Sequence, residues 1–142
     1  MKYLLDTNAI SEAINKQPNP QMMSWLRSMD VQDLYLSVIT VGEIKKGIEK
    51  LPESQRKDNI KKWFEGELLI EFERRILELD LSVLLQWGEL VGDLEKKGRK
   101  LPAMDSLIAA TVKYYGYTLV TRNEKDFEGV DILVFNPCKS NL

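Results

Sequence analysis

The 142-residue sequence contains no histidine. That absence removes the usual acid and base of neutral-pH catalysis, every Ser-His-Asp or Cys-His arrangement, and the commonest transition-metal ligand. Any catalysis must use carboxylates, lysines or a hard metal ion. Cysteine is nearly missing as well: a lone Cys138 cannot form an internal disulfide, and its place near the C-terminus argues against a thiol nucleophile. No stretch approaches the roughly 18 consecutive apolar residues of a membrane span. Met1 and Lys2 lead straight into a short strand-like segment rather than a signal peptide, so a cytoplasmic protein without membrane association is expected. A basic excess is also lacking. The net charge of −2 and pI near 5.3 differ from the phosphate-neutralising balance of a simple nucleic-acid binder.

What is present suffices for one compact α/β domain, with 44% hydrophobic residues and neither internal repeats nor low-complexity linkers. Short apolar runs at Lys2 to Leu5, Leu34 to Ser37, Arg75 to Leu79, Thr118 to Thr121 and Ile132 to Phe135 predict strands. Helical spacing links Val41, Ile44, Ile48 and Leu51, then Leu81, Leu84, Gly88, Val91 and Leu94, then Met104, Leu107, Thr111 and Tyr115. Further helices are predicted from Pro20 to Met29 and from Pro52 to about Glu67, and Gly116 supplies a left-handed helix end before the next strand. Alternating strands and helices predict a short-stranded parallel sheet flanked by helices, in which ligands gather at the carboxyl ends of the strands.

Four acidic residues fall just after a strand or in a first helical turn: Asp6, Glu43, Asp105 and Asp126. Each has a structural explanation. Asp6 suits a helix cap, Thr40 to Glu43 matches a capping box, Asp105 follows a proline-led helix start, and Asp126 lies in a cap-like turn. In one parallel sheet, however, these positions converge on the same rim. Converging carboxylates raise one another's pKa, a cost that a cation offsets. Oxygen ligands alone select Mg²⁺ or Mn²⁺, and the implied chemistry is metal-assisted hydrolysis of a phosphodiester. Asn8 stands where a phosphoryl-accepting D-x-D motif needs its second aspartate. The paired acids and the lysine of a receiver domain are missing, as is the G-x-x-x-x-G-K of a P-loop.

The segments L-L-D-T-N-A-I-S-E, L-S-V-I-T-V-G-E-I-K-K-G-I-E, L-P-A-M-D-S-L-I-A-A-T, L-V-T-R-N-E-K-D-F and V-F-N-P, read in that order, strongly resemble PIN-domain proteins. The particular likeness is to VapC-type toxins of type II toxin-antitoxin systems and their FitB-like relatives, and it runs from Tyr3 to Pro137. It implies a single PIN domain over residues 1–142, with a core of about 3–137. It also implies a Mg²⁺- or Mn²⁺-dependent endoribonuclease that cleaves RNA to 5′-phosphate and 3′-hydroxyl ends and is neutralised by a VapB-like antitoxin. Asp6, Glu43 and Asp105 fall on the family's first, second and third metal-binding acids. The fourth falls on Asp126, although some relatives carry it at the position of Asn123. Thr7, Asn8, Thr121 and Asn123 would then orient carboxylates or the attacking water.

Lysines and arginines near these acids, above all Lys46 and Arg122, are candidate phosphate contacts as a set, although any one of them is more simply explained as part of a solvated face. A homodimer, and DNA contact only through the antitoxin, are implied by the resemblance. Met22, Met23, Trp25, Trp63 and Trp87 supply either docking surface or core. Two rival functions are a PIN scaffold that binds RNA, or DNA together with its antitoxin, without cleaving it, and a metal-dependent DNA or flap nuclease. The RNA target is left open.

Overall fold

The computed structural model describes residues 1–139. Its centre is a five-stranded sheet, β1 (Tyr3–Leu5), β2 (Leu34–Ser37), β3 (Ile76–Leu77), β4 (Thr118–Val120) and β5 (Leu133–Phe135), in the order β3-β2-β1-β4-β5. Every pairing is parallel, as the alternation of strands and helices predicts. The helices are α1 (Thr7–Ile10), α2 (Pro20–Ser28), α3 (Val38–Glu49), α4 (Gln55–Trp63), α5 (Leu69–Glu71), α6 (Leu81–Lys96) and α7 (Ala103–Tyr115). A π-helical turn, Phe64–Leu68, joins α4 to α5, so the predicted helix from Pro52 begins later and runs further than expected. Its start is delayed to Gln55 because Ser54 is the residue that caps, accepting from Lys57 N at 3.1 Å.

The two-residue period of a strand explains the two cores. Leu5 in β1, Leu34 and Leu36 in β2 and Val120 in β4 face one side, where they meet Ala9, Ile10, Met22, Ile44, Ile60 and Phe64. Leu4 and Leu119, one position out of phase, face the other side and pack on Ile39, Leu90, Leu94, Ile108 and Val112. Leu4 and Leu5 are both fully buried, each worth about 1.5–3 kcal/mol of apolar transfer. Trp25 stands edge-on to Tyr3, with ring centroids 5.1 Å apart, and also packs on Phe135, which seats α2 against β1 and β5.

Several expectations need correcting. Strand β3 is shorter than the predicted Arg75 to Leu79, because its partner β2 ends at Ser37 opposite Leu77 and leaves Glu78 and Leu79 nothing to pair with. Thr40 does not begin a helix: α3 starts at Val38, capped by the Ser37 hydroxyl, which accepts from Ile39 N at 3.1 Å. The capping box is therefore absent, and Thr40 Oγ1 is buried without a hydrogen-bond partner among the described residues. In α6 the buried stripe is Val83, Leu90 and Leu94, whereas Leu81 and Leu84 are exposed. Met104 of α7 is likewise exposed. Met22 is core, while Trp25 and Trp63 pack against that core partly buried. Among the described residues no helix is long and apolar enough to cross a membrane.

Candidate active site

The chain adds β2 and β3 on one side of β1, then crosses over to add β4 and β5 on the other side. The reversal of strand order therefore lies between β1 and β4, the position where open α/β sheets place their ligand crevice. Register then decides which residues meet there. Leu5 pairs with Val120, so the next residues, Asp6 and Thr121, leave the sheet side by side. Backbone bonds hold both: Asp6 N donates to Val120 O at 2.9 Å, and Thr121 N donates to Phe135 O at 3.1 Å.

Asp6 fills both roles considered from the sequence. Its Oδ1 caps α1 by accepting from Thr7 N at 2.9 Å, while Oδ2 accepts from Thr121 Oγ1 at 2.9 Å and from Asn8 Nδ2 at 3.3 Å. The Thr121 hydroxyl also accepts from Asn8 Nδ2 at 3.0 Å and from Asn123 N at 3.1 Å, which uses its one donor and both lone pairs. Asn8 ties the two strand ends together, because its Oδ1 accepts from Arg122 N at 2.9 Å. From α3, the exposed Glu43 reaches the same rim and accepts from Thr7 Oγ1 at 2.6 Å. With the capping box gone, this contact is what the structure assigns to Glu43.

Asp105 sits half-buried in the first turn of α7, whose start at Pro102 has no side-chain cap. Asp126 lies exposed in the 3-10 turn Glu124–Phe127, headed by Asn123, whose side chain caps nothing. The acids are near enough for their charges to act on Asp6 and Asp105. Burial pushes the Asp6 carboxyl above its ordinary range. The Thr121 and Thr7 hydrogen bonds hold it down in part, and the charges of Glu43 and Asp126 push it up further. Asp105 is also raised, first by burial and then by the charges of Asp6, Asp126 and Glu43. Yet among the described residues no three His, Cys, Asp or Glu side chains stand close enough together to hold a metal ion as they are placed. An all-oxygen, mutually repelling but open set fits a hard divalent ion that keeps several waters, and does not fit a dehydrated protein-only site.

These shifts carry a sign. A carboxyl whose folded-state pKa exceeds its unfolded value binds its proton more tightly when folded, so stability falls as pH rises through that window. For Asp105 the window opens near the ordinary value of 3.8 and extends upward. Without metal, Asp105→Asn is therefore expected to melt above the parent protein at neutral pH. The two melting curves should converge once the pH falls below that value. Parallel curves at every pH would show that folding does not raise the Asp105 pKa.

The predicted phosphate contacts separate. Lys46 is exposed on α3, one turn beyond Glu43. Arg122 instead pairs its guanidinium with the Glu12 carboxylate. Glu12 is fully buried and also accepts from Asn19 N at 2.8 Å. Of the neighbouring cations, Lys45 pairs with Glu49 at 3.0 Å, Lys57 with Glu53 at 2.8 Å, and Arg56 donates to Ile14 O at 3.2 Å. Glu12 was not anticipated as a site anchor, since nothing local in I-S-E-A-I signals a buried charge whose partner lies 110 residues away.

Comparison with known proteins agrees with this geometry. The family model described as "PIN domain" matches residues 3–133. Toxin FitB of Neisseria gonorrhoeae is 37% identical over 134 residues, covering 94% of this chain and 96% of that protein. VapC ribonuclease Y4jK of Sinorhizobium fredii is 31% identical over the same length and coverage. In the solved structure of FitAB bound to an IR36 DNA fragment, one chain superposes with a TM-score of 0.93 at 36% identity, covering 99% of this chain and 98% of that one. A parallel sheet that reverses at Asp6, an acidic rim at that reversal and near-complete coverage by these relatives place the chain in the PIN-domain family.

Proposed function

We propose that this chain is the endoribonuclease toxin of a VapBC-type toxin-antitoxin pair, hydrolysing RNA phosphodiesters with a divalent ion held by Asp6, Asp105, Glu43 and Asp126. The observation that carries the reading is the Asp6 carboxylate at the strand-order reversal, held by Thr121 and Asn8 and linked through Thr7 to Glu43; burial and neighbouring negative charge raise the Asp6 and Asp105 carboxyls, a cost that a bound cation would relieve. Its relatives support it: Y4jK is called a VapC ribonuclease, and FitB a toxin. Mg²⁺, or Mn²⁺ in its place, would supply charge for the scissile phosphate and acidify a water. The chain's own residues set the geometry. Thr121, Asn8 and Thr7 aim the Asp6 oxygens, and Thr7 holds Glu43 toward the same crevice.

Phosphate contact falls to Lys46 in this reading, because Arg122 is committed to Glu12. A groove of about 290 Å³ opens beside Thr7 and Glu43, with Ile44, Ile48 and Leu51 on its apolar side and Arg56 in its lining. It suits an antitoxin segment laid over the site. Exposed Leu81 and Leu85 on α6 offer apolar area for the homodimer. DNA is reached through the antitoxin, in keeping with the DNA-bound FitAB complex, and the protein works in the cytoplasm.

The test is cleavage of matched RNA and DNA with Mg²⁺ or excess EDTA, followed by analysis of the ends. Expected are RNA-selective cuts leaving 5′-phosphate and 3′-hydroxyl groups, with activity lost in EDTA. Cyclic phosphate ends, or undiminished cleavage in EDTA, would overturn the mechanism. Preference for DNA would favour the nuclease alternative.

A further inference from the structure

Asp126 belongs to a short 3-10 turn between β4 and β5, and such a turn has little of its own to fix it. Its backbone bonds are local, Asp126 N to Asn123 O at 3.0 Å and Val130 N to Phe127 O at 3.1 Å. Phe127 is the one residue of the turn that is buried, and Glu124 at its start pairs with Lys139, which leaves Asp126 and Glu128 without a side-chain tie of that kind among the described residues. Across from it, Arg99 leaves the end of α6. One guanidinium nitrogen, Nη2, donates to Asp126 O at 3.0 Å, and the other, Nη1, donates to Glu128 O. We propose that Arg99 is a positioning residue that clamps the Asp126 turn to the connector leading into Asp105, and so sets the distance between the third and fourth acids.

Three features show that the clamp is built. Arg99 is rigidly mounted: Gly98, with φ at 77°, ends α6 in a Schellman arrangement, where Arg99 N donates to Leu94 O at 2.9 Å and Gly98 N to Glu95 O at 3.0 Å. The receiving turn is cut to fit, because Gly129 also has φ at 77° and a Cβ there would stand 3.3 Å from Arg99 Nη1. Finally, only two residues separate Arg99 from Pro102, the N-cap of the helix that carries Asp105. One connector thus locates both acids. A planar fork can hold two carbonyls at once, whereas a lysine ammonium is a single point.

The proposal rests on the reading of Asp126 as part of the metal site, and the test separates the two. Wild type, Arg99→Ala, Arg99→Lys, Asp126→Asn and the Arg99→Ala/Asp126→Asn double variant are compared. Amide hydrogen exchange is followed over residues 124–130, and Mn²⁺ affinity is measured by calorimetry. Arg99→Ala should speed exchange in this turn with the core amides unchanged. It should weaken Mn²⁺ about tenfold, the lower end for a residue acting through a neighbour. Arg99→Lys should recover part of both. In the double variant Mn²⁺ binding should be no weaker than in Asp126→Asn alone.

Unchanged exchange in the turn, or equal weakening by Arg99→Ala with and without the Asp126 carboxylate, overturns the clamp. A wild type that neither binds Mn²⁺ nor cleaves RNA overturns the metal reading, and exchange alone then decides whether Arg99 holds the turn.

Discussion

Asp6→Asn is expected to lower metal-dependent RNA cleavage on the order of 10³-fold while leaving the fold intact. Several kcal/mol of charge stabilisation by a metal, at about 1.4 kcal/mol per tenfold in rate, sets that scale. Stability should be preserved because asparagine is as good an N-cap as aspartate, so the bond from Thr7 N to position 6 survives. The amide has one acceptor oxygen where the carboxylate has two. Part of the hydrogen bonding from Thr121 or Asn8 is therefore lost, at about 1 kcal/mol. Removing a buried charge that Glu43 and Asp126 repel offsets that cost. The melting temperature without metal should then lie within a few degrees of the parent, whereas the rise on adding Mg²⁺ or Mn²⁺ should vanish. Melting curves with and without metal, read beside cleavage rates, check both halves. Retained cleavage in a well-folded variant would remove Asp6 from the mechanism.

The largest effect on stability is expected from Arg122→Ala. Glu12 is 0% exposed, and the substitution leaves its carboxylate facing only Asn19 N. Breaking a buried pair by deleting one partner costs about 3–5 kcal/mol, and the lower end applies because the Arg122 side chain is 44% exposed and water can follow it in. For a chain of this size about 3 kcal/mol corresponds to a fall of about 10 °C in melting temperature. Arg122→Lys, which keeps a cation near Glu12, should recover much of it. The Arg122 backbone N–H still reaches Asn8 in either variant, so cleavage measured well below the melting point should change little. A rise in KM with an unchanged melting temperature would reverse this assignment and restore Arg122 as a phosphate contact.

The strand-helix alternation was legible because apolar runs of three or four residues, ended by Asp6, Ser37 or Thr121, carry their own period. Asp6, Asp105 and Asp126 were legible as strand-end or first-turn positions, whereas Glu43, expected in a first turn, lies in the second turn of α3 because that helix starts at Val38. Their immediate surroundings were legible only in part. Thr7 and Asn8 directly follow Asp6 and Thr121 ends a strand, and their contacts follow from strand register. The Thr40 to Glu43 capping box was a local pattern overridden by tertiary context: Ser37 at the end of β2 caps α3 three residues earlier, and Glu43 turns to Thr7. The apolar stripe of α6 was legible at its end, where Leu94 is buried and Val91 packs on the core, and misplaced at its start, where Leu81 and Leu84 are exposed because helical spacing finds a stripe but the neighbouring α7 chooses the face.

By itself, then, the sequence determined an α/β chain without histidine, in which any catalysis must use carboxylates, lysines or a hard metal ion. Composition and local periodicity carry that information without knowledge of what lies across the sheet. Only the tertiary structure decided that Asp6 and Thr121 leave adjacent strands together, that Arg122 pairs with the buried Glu12, and that Arg99 donates to the carbonyls of Asp126 and Glu128. Each of those pairings joins residues far apart in the chain. Such contacts are set by strand order and by the desolvation of particular charges, and neither is written in the local pattern around either partner.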